Sequence, residues 1–270
     1  MVLFGKRLGL GVSVCVMSGN ALCAGPMDKA PVDVGRLIYF AQNADRSWSL
    51  NLKGDPPCLY RFEVRAGDRW VQETANNDGV ERSELRGPND ETNPGRLNAE
   101  TWTAYQFRIE PGPASTADWV VLGDWHVLPD ADDTAPMSSP WQLELRKGDI
   151  LVFDIRVSEE KPVRHNAAES HIYTSSTPIT RGVWHSLVSV ADFDWRLQGN
   201  GGVTVWLDGK KIADYHGRFG YFLTRPPYFK FGIYRSSAPE TLVVDYANVG
   251  IARSSLASRI LAPPPVCKDK

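Results

Sequence analysis

The chain has 270 residues, 42% hydrophobic and 23% charged, with a formal net charge of −2, which is the profile of a folded globular protein rather than a disordered one. That near-balance excludes a general polyanion binder held by long-range charge, nucleic-acid proteins included. Any anionic ligand must be met by local cations.

The N-terminal stretch "MVLFGKRLGLGVSVCVMSGNALCAG" carries Lys6 and Arg7, an apolar run from Leu8 to Met17, and then small residues. This pattern predicts a secretory signal peptide over residues 1–24, followed by a single domain over residues 25–270 that is secreted or periplasmic. The apolar run is too short to span a membrane, and no later segment approaches the roughly 20 apolar residues a span needs. Cys23 raises lipid anchoring, but Asn20-Ala21-Leu22 lacks the apolar residue expected three positions ahead of it. Without the leader, 28 Lys plus Arg stand against 32 Asp plus Glu, about −4. Two cysteines then remain, Cys58 and Cys267. An exported pair without metal-ligand spacing predicts a disulfide, with two free thiols as the alternative. It would close a loop of about 210 residues, worth about 5 kcal/mol in the chain-entropy model.

Helical periodicity is nearly absent and alternation recurs. Strands are expected at 59–65, 105–109, 119–127, 141–146, 150–157, 186–193, 203–209, 228–234 and 241–251, where apolar and polar residues alternate. "RKGD" (146–149) joins two of them, and Asp208-Gly209 marks a hairpin because both residues accept the positive φ of a tight turn. Many short strands without long helices predict an all-β sandwich or jelly roll. Three long loops, 86–98, 129–140 and 159–182, read as functional rims. Asp130, Asp132 and Asp133 form either a solvated loop or a calcium site.

Three strands carry unusual polar faces. "ERSELRG" (81–87) places Arg82, Glu84 and Arg86 on one side. Its glutamate between two arginines would hold guanidinium forks rigid for a carboxylate, or form a plain surface ladder of little worth. "GDWHV" (123–127) pairs Asp124 with His126 on one face. Of the other histidines, His165 and His171 fall in the third loop, His216 follows a hairpin, and His185 reads as structural. Trp206 shares a strand face with Thr204 and is either a stacking platform for a sugar or a covered structural residue. "YFKFGIY" (228–234) turns Phe229, Phe231 and Ile233 to one side and Tyr228, Lys230, Gly232 and Tyr234 to the other. A glycine in such a row often marks close approach by a ligand or another backbone. Here it is expected to leave room for a sugar ring.

Together, "RSELR", the "WH" strand and "YFKFGIY", in this order, resemble the polysaccharide lyases with a β-jelly roll, a concanavalin A-like sandwich of two antiparallel sheets. These are the alginate lyase, glucuronan lyase and heparin lyase I types. The spacing "GVWHSLVSV…GGVTVWLDGKKI…YFKFGIYR" is most similar to the last two, and the resemblance covers about residues 58 to 250. It implies an enzyme that cleaves a 4-linked uronate polymer by β-elimination, with an anionic polysaccharide as its partner and without cofactor or metal; a monomer is expected. It also implies Arg82 as the carboxylate-binding arginine, His126 and Tyr234 as catalytic residues and Lys230 as the active-site lysine. Arg86, Glu84, Asp124, Trp206 and Tyr228 are expected to line the substrate site. One departure stands out: alginate lyases of this kind carry glutamine where this chain has Asp124, and an ionised aspartate cannot donate a hydrogen bond to a carboxylate. The rival readings are a non-catalytic lectin and a glycoside hydrolase. The hydrolase would require two suitably spaced carboxylates, for which the run E-x-D-x-x-E is absent.

Overall fold

Alternation decides the architecture: along most strands every second side chain is buried and apolar, so two sheets close over one core. The computed structural model describes residues 31–70, 79–263 and 265–267, and the expected leader lies outside them. In chain order the strands are β1 (Pro31–Val34), β2 (Leu37–Asn43), β3 (Leu50–Lys53), β4 (Leu59–Val64), β5 (Val80–Arg86), β6 (Thr101–Ile109) and β7 (Trp119–His126). They continue as β8 (Trp141–Arg146), β9 (Ile150–Arg156), β10 (Glu169–Pro178), β11 (His185–Asp192), β12 (Gly202–Leu207), β13 (Lys210–His216), β14 (Tyr228–Ser236) and β15 (Leu242–Ala252). An eight-stranded sheet runs β1-β2-β5-β14-β7-β8-β9-β10, and a seven-stranded sheet runs β13-β12-β11-β6-β15-β4-β3. This is the expected jelly roll.

β14 is central to the first sheet. Its buried face, Phe229, Phe231 and Ile233, is at most 1% exposed. Phe231 meets Tyr39, Tyr60 and Phe62 edge-on at centroid distances of 5.5, 5.6 and 5.6 Å, and such pairs contribute about 0.5–1.5 kcal/mol each beyond area burial. The other face of β14 is thereby held in fixed register against β5 and β7.

Gly232 departs from the expectation. Its φ is +137°, and a Cβ there would lie 2.4 Å from the Ser83 carbonyl oxygen and 2.7 Å from Glu84 Cα. The glycine is therefore demanded by the close approach of β5, not by a sugar ring. It sits where the β14–β7 register slips between Phe231 and Tyr234, and such a bulge re-aims the side chains beyond it.

The strands expected from alternation all form, with ends shifted by a few residues. β10 lies inside the segment expected to be a loop. It is a sheet edge, exposed or half-exposed along its whole length, so no apolar stripe announces it. Cys58 and Cys267 are joined in a disulfide with Cα atoms 5.6 Å apart, within the usual range. No helix among the described residues is long and apolar enough to cross a membrane.

Candidate active site

The outward face of β14 presents Tyr228, Lys230 and Tyr234. β5 sets Arg86, Glu84 and Arg82 opposite Lys230, Gly232 and Tyr234, while β7 sets His126 and Asp124 opposite Tyr228 and Lys230. Pairing on both sides of one strand thus gathers the expected site residues onto one face of the eight-stranded sheet, with one exception. Trp206 is on β12 of the other sheet. Val203 and Val205 of that strand enter the core, so Trp206 points out from the opposite side of the molecule and stacks on Trp102 at 6.2 Å. It is a surface pair, not part of this cleft.

A buried carboxylate organises the cations. Glu84 is 2% exposed, and its Oε2 lies 2.7 Å from Lys230 Nζ and 3.4 Å from Arg82 Nε. Arg82 also donates from Nη1 to Gln42 Oε1 at 3.2 Å. The row "RSELR" is therefore not a solvent-exposed ladder. Its glutamate aligns two cations, and these stand against Tyr234: Arg82 Cζ is 4.1 Å and Lys230 Nζ 5.9 Å from the phenol ring centroid. Trp119 closes on the same ring edge-on at 4.9 Å. Arg86 lies over the Phe40 ring at 5.1 Å.

On β7, burial pushes the Asp124 carboxyl up to about 6, with Lys230 pulling against it and Glu84 adding to it. Ser139 Oγ donates to Asp124 Oδ2 and lies 3.2 Å from His126 Nδ1. Burial first, and then Lys230 and Arg82, push the His126 imidazole down to about 3. It is neutral at physiological pH, although about a third of the side chain stays open to solvent (34%). Tyr228 packs edge-on to it at 5.5 Å, and burial raises the Tyr228 phenol far above its ordinary value.

The same face continues over β8, β9 and β10 with charges that sequence reasoning did not single out. Arg146 Nη2 lies 2.9 Å from Glu144, 3.4 Å from Asp154 and 3.0 Å from Glu169. Arg156 bonds Gln142, the Ser139 carbonyl and Glu169. Burial, reinforced by Asp154, raises the Glu144 carboxyl to about 7. A cleft of about 280 Å³ runs from Trp119 and Tyr234 across Gln142 and Glu144 to Arg156. The signal was present in "WQLELR", whose alternation puts Gln142, Glu144 and Arg146 on one side as "RSELR" does.

Asp154, Glu169 and His171 offer atoms within 4.8 Å of one another, but Arg146 and Arg156 already occupy both oxygens of Glu169. In the acidic loop, Asp130 accepts from Thr224 and Asp133 accepts from the Asp130 and Val163 amides. These carboxylates pin rim segments together. His185 is held between Asp208 and the Thr180 carbonyl at 2.7 and 2.8 Å, a structural role. His165 and His216 pair with Glu160 and Asp214 at the surface.

The family model described as "Polysaccharide lyase" matches residues 32–250. No curated protein matches the sequence. Among solved structures, the endo-β-1,4-glucuronan lyase from the fungus Trichoderma reesei is similar with a TM-score of 0.57 at 13% identity, over 88% of this chain and 94% of that one. The alginate lyase AlgAT5 of polysaccharide lyase family 7 gives 0.52 at 16% identity, over 77% and 83%. The alginate lyase PA1167 from Pseudomonas aeruginosa gives 0.51 at 18% identity, over 77% and 87%. At such identities these likenesses establish the shared fold.

Proposed function

Because the chain belongs to the polysaccharide lyase family, we propose that the outward face of its eight-stranded sheet cleaves an unsulfated, 4-linked, uronate-containing polysaccharide by β-elimination, with Arg82, Lys230, His126 and Tyr234 as the working groups. The observation that carries this reading is that the same two cations bear on both candidate proton-transfer groups. Arg82 and Lys230 lie against the Tyr234 ring and also depress His126.

The C5 proton of a uronate is poorly acidic because the neighbouring carboxylate is already negative. Its removal requires that carboxylate to be neutralised by fixed donors, so that charge developing in the transition state is met without reorganisation. Arg82, clamped by Glu84 and Gln42, suits this role, with Lys230 and Arg86 beside it. Once the substrate carboxylate is bound, its charge offsets the pull of both cations on His126, which regains the share of its basicity that they remove. His126 then takes the C5 proton, and Tyr234 gives its proton to the departing O4. The cations at the Tyr234 ring stabilise the phenolate left behind. By register, His126 and Tyr234 stand at opposite ends of the Lys230–Asp124 pair, an arrangement that suits approach to the sugar from two sides.

The small net charge favours an unsulfated polymer, since highly sulfated chains usually need a broad cationic groove. We also propose export through cleavage of residues 1–24. The Cys58–Cys267 bond is consistent with an oxidising compartment. The experiment is a substrate panel: the protein lacking residues 1–24 is incubated with glucuronan, alginate, heparin and heparan sulfate while the ultraviolet absorbance of the new C4–C5 double bond is followed. Absorbance should rise fastest with glucuronan. Reducing ends without absorbance would mean hydrolysis, and binding without either would mean a lectin; both would overturn the reading.

A further inference from the structure

Ser139 was not among the residues singled out in the sequence. It closes the 129–140 loop, is 3% exposed, and its hydroxyl sits between the two β7 side chains that face the cleft. We propose that Ser139 is a positioning residue that couples the Asp124 carboxylate to His126 and fixes the imidazole with its proton on Nδ1, leaving Nε2 as the proton acceptor. The inference rests on the reading of His126 as the base.

A serine hydroxyl has one proton to give and lone pairs to accept with, whereas an ionised carboxylate can only accept. Ser139 Oγ makes its tighter contact with Asp124 Oδ2, so its single proton lies there. Toward His126 Nδ1, 3.2 Å away, the same oxygen can then only accept. Nδ1 must carry the hydrogen, and the second ring nitrogen of a neutral imidazole must be bare. The residue that carries the hydroxyl is anchored through its main chain. Its own carbonyl accepts from Arg156 Nη1 at 3.1 Å, and the neighbouring Ser138 amide donates to Asn166 Oδ1 at 2.9 Å. The departure at residue 124 thus has a consequence beyond the substrate carboxylate: an acceptor-only side chain there sets the direction of a two-bond chain ending at the base.

The chain has a second state. The charged and titratable groups acting on Asp124 are Lys230 and Tyr228 from β14, Glu84 and Arg82 from β5, and Tyr105 from the sheet beneath, with His126 beside it on β7 and the amide of Gln142 opposite on β8. As pH falls through about 6, Asp124 gains a proton. It then donates to Ser139, Ser139 donates to Nδ1, and the ring proton resides on Nε2. One proton is taken from solvent, and the imidazole stays neutral throughout, because its own protonation lies near 3.

Nitrogen-15 spectra of histidine-labelled protein read the tautomer directly, without substrate. The His126 signals are identified by their loss in His126→Gln. At pH 7.5 the wild type should show a protonated Nδ1 and a bare Nε2, with inversion below about pH 6. Ser139→Ala should lose the preference and lower kcat at least about 10-fold, part of the about 100-fold or more that a positioned base supplies. Ser139→Thr should restore both. A proton on Nε2 in the wild type at pH 7.5, or an unchanged tautomer in Ser139→Ala, overturns the proposal. The wild-type spectrum decides even if the variant fails to fold. The expected tautomer together with full activity in His126→Ala would instead sink the reading of His126 as base and leave the coupling intact.

Discussion

At the centre of the eight-stranded sheet two buried carboxylates, Glu84 and Asp124, stand among three cations, Lys230, Arg82 and Arg86. At its edge two cations, Arg146 and Arg156, face three carboxylates, Glu144, Asp154 and Glu169. The residue types are the same and the bookkeeping is reversed. In the centre, positive charge is in excess and the neighbouring imidazole is held neutral. At the edge, negative charge is in excess, and burial, reinforced by the neighbouring Asp154, raises the Glu144 carboxyl to about 7. An anionic polymer crossing this face therefore meets attraction where β5, β14 and β7 lie side by side, and none from the net charge beyond β8. Salt bridges alone do not distinguish the two regions; their sign balance does.

Three substitutions sharpen the contrast. Arg82→Ala should give the largest effect, a fall in kcat on the order of 100- to 1000-fold, as when a fixed donor to developing charge is removed. Steady-state kinetics on the preferred polymer checks it. Glu144→Gln should act on stability instead. The native Glu144 keeps its proton to about pH 7, while the unfolded chain releases it near 4.5. Between those values the native state binds more protons, so this group's contribution to stability falls as pH rises. The glutamine variant should gain stability relative to wild type between pH 4.5 and 7.5, by on the order of 3 kcal/mol. His126, whose protonation is depressed, runs the other way, with stability rising as pH climbs from about 3 to its ordinary value of 6.5. The informative quantity is thus the difference between variant and wild-type melting curves. The smallest effect belongs to Trp206→Ala: on the far sheet, it should leave the rate within about 2-fold. A larger loss would bring the outer tryptophan pair into the reaction.

The fold was legible because alternation is a period-two signal that survives wherever one face of a strand is buried. β10 was not legible, since an edge strand exposed along its length has no buried face to report. The central row was legible for the same reason as the fold: Arg82, Glu84 and Arg86 alternate with Ser83 and Leu85, and strand pairing brought them to Lys230 and Tyr234. Gly232 and Trp206 were misplaced for a shared reason. Strand alternation tells which residues share a face, but not what lies across from that face. For Gly232 it was the backbone of β5, and for Trp206 the outside of the second sheet. Ser139 could not have been read at all. It stands in a loop, and only the folded chain brings it between Asp124 and His126.

The central claim is that the phenol of Tyr234 and the imidazole of His126 transfer the two protons of an elimination. It is tested most directly by the rate of C4–C5 double-bond formation in Tyr234→Phe and His126→Ala, each with an unchanged melting curve. Both should fall by at least about 100-fold. Full activity in both variants would contradict the account.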